Sequence, residues 1–99
     1  MIDIAKIQQA ILLTQQGKIQ EAKNIYDNML KTNPNDPNLL SVFGLFYVNI
    51  GEYSKASDIL KKAAEKNPSF GTLSALGVAE LECGNFEDAV KYLEKSIEL

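Results

Sequence analysis

The fold is decided by residues 40–68, LSVFGLFYVNIGEYSKASDILKKAAEKNP. Here Gly51 is followed by Ala56 and then by the bulky Leu60, and this triplet recurs once before and once after it at almost the same step. The three copies are Gly17, Ala22 and Tyr26; Gly51, Ala56 and Leu60; and Gly84, Ala89 and Leu93. Self-similarity at this period indicates one small structural unit that stacks on copies of itself.

The residues between the turns predict six helices in three antiparallel pairs. Apolar residues recur every three to four positions, as on one face of an amphipathic helix. Each pair is divided by a glycine, and Asp36 followed by Pro37 is a favourable helix start. Short connections require successive helices to fold back on each other. The predicted helices are Asp3–Gln16, Ile19–Thr32, Pro37–Ile50, Tyr53–Lys66, Phe70–Cys83 and Phe86–Ile97.

The composition narrows the possible functions. The chain has 99 residues, a net charge of −3 and ten cations that are all lysine. Without arginine or a basic field, a nucleic-acid partner is not expected. No stretch approaches the length of a membrane span, so we expect no membrane partner and a cytoplasmic location.

The sequence contains no catalytic constellation. Histidine is absent and Cys83 is the single cysteine, which removes the commonest general base and any thiolate metal cluster within one chain. No phosphate-binding glycine loop or nucleophile elbow is present. We therefore expect no catalytic residues, no metal, no cofactor and no enzymatic activity from these residues.

The middle repeat resembles the tetratricopeptide repeat family. Its matching residues are Leu40, Phe43-Gly44, Tyr47, Gly51, Tyr53, Ala56, Leu60, Ala63 and Pro68. The third repeat matches at Leu73, Leu76-Gly77, Gly84, Phe86, Ala89 and Leu93, and the first at Ala10, Leu13, Gly17, Ala22, Tyr26 and Pro34. Three copies in phase cover essentially the whole chain.

This resemblance implies an all-α fold, a right-handed α-solenoid of three antiparallel helix pairs without a C-terminal capping helix. We predict one domain, residues 1–99, with repeats at about 3–36, 37–69 and 70–99. The family also leads us to expect a protein–protein interaction module, either within a larger protein or as a piece of an assembly. Glu80 occupies a position where the family has an aromatic residue. It either reaches the edge of the stack, which we favour, or is satisfied by a partner.

In this family the first helix of each pair lines a concave groove that holds a peptide or a helix. The groove residues implied by the resemblance are Ile7, Ile11, Gln15, Ser41, Val42, Leu45, Val48, Asn49, Ser74, Val78 and Glu82. Aliphatic patches with neutral polar residues between them favour an apolar or amphipathic peptide or helix. Ile7 and Val42 have the alternative of packing between neighbouring helices.

Some relatives grip the carboxylate end of a chaperone with lysine, arginine and asparagine side chains in this groove. The corresponding positions here are Ile7, Ile11, Val42, Gly71 and Ala75. None of these side chains can pair with a carboxylate, so that clamp is not expected.

Two other functions remain open from the sequence. Without a capping helix, apolar residues of the last repeat would be exposed, and the chain would form a weak homo-oligomer through Leu93 and Ile97 as a self-associating scaffold module. Alternatively, the chain is an accessory N-terminal segment of a larger bacterial transferase.

Overall fold

The computed structural model describes residues 3–98, which form six α-helices in three hairpins. The helices are α1 (Ile4–Gln15), α2 (Ile19–Thr32), α3 (Pro37–Asn49), α4 (Tyr53–Lys66), α5 (Phe70–Glu82) and α6 (Phe86–Glu98). Every predicted helix is present, and each end agrees with its predicted position or lies next to it. Residues 1, 2 and 99, including the last residue of the predicted third repeat, lie outside the described part.

The first helix of each pair begins at a side chain that caps it. Asp3 and Asp36 accept hydrogen bonds from two backbone N–H groups each, at 2.9–3.3 Å, and Ser69 accepts one from Thr72. These bonds satisfy donors that have no partner within the helix. The sequence thus sets three of the six helix starts locally.

Each hairpin turn depends on a glycine with positive φ. Gly51 has φ 82°, and its N–H donates to the Val48 carbonyl at 3.1 Å while Glu52 N–H donates to the Tyr47 carbonyl at 2.9 Å. A residue with a side chain is strained in this left-handed conformation. The turn residue therefore lets α4 fold back along α3 over a very short connection.

Small residues set how closely the paired helices approach. A Cβ added at Gly44 would lie 2.5 Å from Leu60 Cγ, and one added at Gly77 would lie 2.7 Å from Leu93 Cγ. Glycine is therefore needed at both crossings, because the leucine side chain lies against the bare backbone of the opposite helix.

The core is continuous from α1 to α5, but its chemistry changes along the stack. Between the first two repeats, Tyr26 lies 5.2 Å from Phe43 and 5.3 Å from Phe46, measured between ring centroids. Further along, the fully buried side chains are Leu60 and Leu76, with Ala79 beside them. The residues described thus form an all-α solenoid with one shared interior.

The prediction that Glu80 reaches the edge of the stack is wrong. Its side chain is 1% exposed, not at the edge of the stack, and lies between α4 and α5. Ser57 Oγ and Asn85 Nδ2 donate hydrogen bonds to its two carboxylate oxygens, and Lys61 Nζ lies 3.9 Å from Oε1. A buried carboxylate persists only with such partners. Here they come from this chain.

Candidate functional site

The stack is curved, which gives its two sides different shapes. The first helices lie against one another, α1 against α3 and α3 against α5. Within residues 3–98 the backbones of α2 and α4, and those of α4 and α6, do not approach to within 8 Å between Cα atoms. The side formed by α1, α3 and α5 is therefore concave, and we call it the groove face.

An exposed aliphatic row crosses the groove face. Ile11, Leu45 and Val78 occupy the same position in successive repeats, and their side chains are 43%, 47% and 41% exposed. A row of exposed aliphatic residues, one from each repeat, is a candidate surface for contact with another molecule.

Polar side chains border this aliphatic row. Gln15, Asn49 and Glu82, one helical turn after the aliphatic residues, are all exposed. Two of the three are neutral, so the border offers amide donors and acceptors and a single carboxylate. A ligand would be held chiefly by apolar burial, with hydrogen bonds fixing its register.

A small cleft lies between α1 and α3, with a volume of about 80 Å³. It brings together five of the residues expected from the sequence, which are Ile11, Gln15, Val42, Leu45 and Asn49. Thr14, Tyr26 and Phe46 complete its lining and were not predicted. Thr14 follows Ile11 by three positions and shares its helix face, so the period alone could have identified it. Tyr26 comes from α2 and could not be found that way.

The cleft floor is apolar and uncharged. Tyr26 is 1% exposed, and burial raises the pKa of its hydroxyl above the ordinary tyrosine value. The Tyr26 hydroxyl at the floor of the cleft is therefore neutral over the physiological pH range. An aliphatic side chain inserted between α1 and α3 would meet rings and methyl groups.

The remaining groove residues lie mainly between helices. Ile7 is 8% exposed and belongs to the core, while Val42 and Val48 are half-buried against it. Their side chains offer less surface to a ligand than Leu45 does. They instead contribute to the packing of the core.

Two predicted serines are occupied by hydrogen bonds within the chain. Ser41 Oγ lies 2.9 Å from Thr72 Oγ1 and links α3 to α5, and Ser74 Oγ donates to the Gly71 carbonyl at 3.2 Å. Val78 and Glu82 lie on the exposed side of α5. The groove face is therefore best defined between α1 and α3.

The two predicted self-association residues have different environments. Leu93 is half-buried and lies against Gly77, so it contributes to the α5–α6 hairpin. Ile97 is 79% exposed on α6. Only Ile97 presents most of its side chain to the surroundings.

Neither a metal centre nor a membrane-spanning helix appears in the described residues. Within residues 3–98, no three cysteine or carboxylate side chains lie close enough to hold a metal ion. Over the same residues, no helix combines the length and the apolar character needed to cross a bilayer.

Known proteins resemble this chain over most of its length. Two tetratricopeptide repeat family models match residues 13–76 and 71–99. The small glutamine-rich tetratricopeptide repeat-containing protein 2 of Mycosarcoma maydis is 31% identical over 104 aligned positions, covering 98% of this chain and 29% of that protein. The chain thus spans less than a third of this curated relative.

Solved structures share the fold. The Sgt2 tetratricopeptide repeat domain of Aspergillus fumigatus matches 95% of this chain and 63% of that one, with a TM-score of 0.86 and 23% identity. The first such domain of Spaghetti (RPAP3), bound to the HSP90 peptide SRMEEVD, matches 96% of this chain and 76% of that one, with a TM-score of 0.85 and 23% identity. Together with the repeat pattern and the six stacked helices, the family matches identify this chain as a member of the tetratricopeptide repeat family.

Proposed function

We propose that this chain is a non-enzymatic protein–protein interaction module whose groove face binds an apolar or amphipathic peptide or helix. The observation that carries the proposal is the exposed row of Ile11, Leu45 and Val78, one residue per repeat, beside the cleft between α1 and α3. Members of this family recognise proteins rather than transform small molecules, and the residues described contain no alternative centre of chemistry. The cytoplasmic location remains a prediction.

The ligand we propose is neutral or apolar at its contact points. The HSP90 peptide SRMEEVD seen on the Spaghetti (RPAP3) domain is acidic, with three carboxylate side chains and one arginine. Of the positions where the resemblance places clamp residues, Ile7, Ile11 and Val42 are aliphatic here and Gly71 and Ala75 are short. An acidic terminus would lose its hydration without gaining a cation.

The strength of binding follows from the number of anchors. Burying a Leu-sized side chain contributes about 1.5–3 kcal/mol, and association itself costs about 4–15 kcal/mol. Two or three anchors along the aliphatic row contribute about 3–9 kcal/mol before the cost of association, which excludes nanomolar affinity. Micromolar binding therefore also needs the hydrogen bonds of the polar border.

The test is a titration of the chain with a labelled amphipathic helical peptide whose apolar face carries leucines one helical turn apart. We expect micromolar binding that Leu45→Glu weakens by at least about tenfold, because a carboxylate replaces an apolar anchor at the cleft. Val90→Glu is the matched control. Val90 is 53% exposed, similar to Leu45, but lies on α6.

Circular dichroism should show the same helicity for both variants and the wild-type chain. Peptide SRMEEVD should bind far more weakly than the amphipathic peptide. Equal loss of binding in Leu45→Glu and Val90→Glu, or tighter binding of SRMEEVD, would exclude the groove face as we define it.

A further inference from the structure

The outward face of α6 has no partner in the described chain. Val90 is 53% exposed and Ile97 is 79% exposed, and the carboxylates of Glu94 and Glu98 are exposed beside them. Helix α6 carries four carboxylates and two lysines, and all six of these side chains are exposed. This face thus combines an apolar row with the carboxylates of Glu94 and Glu98 on a helix of net negative charge.

The second repeat shows what such a face contacts. Aligning Gly84 with Gly51 places Val90, Glu94 and Ile97 at Ser57, Lys61 and Ala64 of α4. There, α5 covers the face. Ser57 is buried and donates to Glu80 of α5, and Ala64 and Lys61 line a cleft with Leu73 of α5. By analogy, the partner that covers this face of α6 would be a helix, packed on α6 in the way that α5 packs on α4.

The exposed face of α1 has the matching chemistry. Aligning Gly77 with Ala10 places the α5 residues Leu73 and Glu80 at Lys6 and Leu13. Lys6 is exposed, and it is the one charged residue of α1. Leu12, next to Leu13, is 54% exposed.

We placed α1 of a second copy on α6 in the way that α5 lies on α4. In this arrangement apolar residues meet apolar residues, and a lysine meets carboxylates. The Ser57–Glu80 polar pair becomes Val90 against Leu13, an apolar pair. The position of Leu73, beside Lys61 and Glu65, becomes Lys6 beside Glu94 and Glu98. Both pairs of facing residues are therefore complementary. Charge complementarity across an interface selects the correct partner.

We propose that copies of this chain stack head to tail, with α1 of one copy packed on α6 of the next in the way that α5 packs on α4. The contact joins two different surfaces, so a dimer still has one free α1 face and one free α6 face, and further copies add until the assembly closes into a ring or forms a filament. Stacking uses Lys6, Leu12 and the outward face of α6. It leaves the groove row of Ile11, Leu45 and Val78 free.

The test is sedimentation velocity of the full chain over a wide concentration range at low salt. We expect the mean mass to rise with concentration and to pass beyond two copies. Lys6→Glu should weaken association by about tenfold, since an attractive pair becomes a repulsive one. The double variant Glu94→Lys with Glu98→Lys should weaken it similarly. Combining all three substitutions should restore wild-type association.

Controls separate this effect from net charge and from folding. Lys62→Glu makes the same charge change on the exposed side of α4 and should leave stacking unchanged. Ile97→Asp should also disrupt stacking, and it removes little internal contact because that side chain is 79% exposed. Leu45→Glu should weaken peptide binding without altering stacking, so the groove and the stack can fail separately.

Three results would overturn the proposal: a monomer at every concentration, a dimer that never grows, or association that is indifferent to Lys6→Glu. A monomeric chain that binds a lysine-rich amphipathic peptide, and loses it in Ile97→Asp, would also overturn it. In that case the α6 face takes a foreign helix.

Discussion

The two interfaces between repeats bury different chemistry. Between the first and second repeats, the rings of Tyr26, Phe43, Phe46 and Tyr47 form a cluster with centroid distances of 4.8–5.8 Å. Between the second and third, a carboxylate lies at the position corresponding to Tyr47, and the surrounding chain supplies its partners. The repeat pattern therefore specifies where helices meet, while the side chains at the meeting point can be either apolar or polar.

This difference has consequences for specificity. Aromatic rings contribute large apolar area and tolerate small shifts, since their attraction is broad. The Glu80 carboxylate requires partners at defined places, and wrong packing leaves a buried charge unpaired. We expect the first interface to contribute more to stability and the second to fix the arrangement of α4 against α5.

The largest expected effect is in the aromatic interface. Phe43→Ala removes a ring that stacks on Tyr26 at 5.2 Å and on Tyr47 at 4.8 Å, and the side chain is 4% exposed. Such a truncation should lower the free energy of unfolding by about 3–5 kcal/mol, because a cavity replaces the ring. Urea denaturation followed by circular dichroism measures it. A loss smaller than that of Glu80→Ala would reverse our ranking of the two interfaces.

The polar interface should respond more moderately and in a different way. Glu80→Ala removes the acceptor for Ser57 and Asn85, and it should cost about 1.5–3 kcal/mol, the range for charge-assisted hydrogen bonds. The double variant Glu80→Ala with Ser57→Ala should cost less than the sum of the two single variants, because the Ser57–Glu80 pair is then removed from both sides. A double-mutant cycle measures the coupling, and strict additivity would contradict direct pairing.

The two glycine crossings extend the comparison to the hairpins. Gly44→Ala should destabilise by about 1–3 kcal/mol, since Leu60 is fully buried and cannot move aside. Alanine gains about 1 kcal/mol of helix propensity at both positions, but Gly77→Ala should cost less because Leu93 is half-buried whereas Leu60 is fully buried. Paired thermal melts of the two variants test this order. Equal losses would show that Leu93 is as confined as Leu60.

The smallest expected effect is a loss of folding stability at alkaline pH, and it arises at the first interface. Burial raises the pKa of Tyr26 and of Tyr47 in the folded chain. The stability from their neutral hydroxyls is fully present below the unfolded tyrosine pKa of about 10 and is lost as pH rises through the higher folded values. Urea titrations at increasing pH should show this decline, and it should be weaker when both tyrosines are replaced by Phe. An unchanged slope would contradict the assignment to these residues.

Much of the fold follows from local sequence patterns, and the remainder depends on distant residues. The step between Gly17, Gly51 and Gly84 defines the hairpins because each turn requires a left-handed residue. Glu80 was misplaced because its partner Ser57 lies 23 positions away on a different helix. Neither residue can be predicted from the other in the sequence, and only the packing of the helices brings them together.

The candidate site shows the same limit. The repeat period places Ile11, Leu45 and Val78 on one face without knowledge of packing. The burial of Ile7 and the contribution of Tyr26 to the cleft depend on how α2 packs against α1 and α3. Periodicity identifies the face of each helix, but the depth of each residue comes from its neighbours on other helices.

The most direct test of the groove assignment is a residue-resolved NMR titration of the isotopically labelled chain with the amphipathic peptide. We predict that the largest shift changes occur at Ile11, Leu45 and Val78 and at the cleft between α1 and α3. Val90 and Ile97 on α6 should change little at concentrations where the chain is monomeric. Changes concentrated on α6, or spread evenly over the chain, would contradict the account.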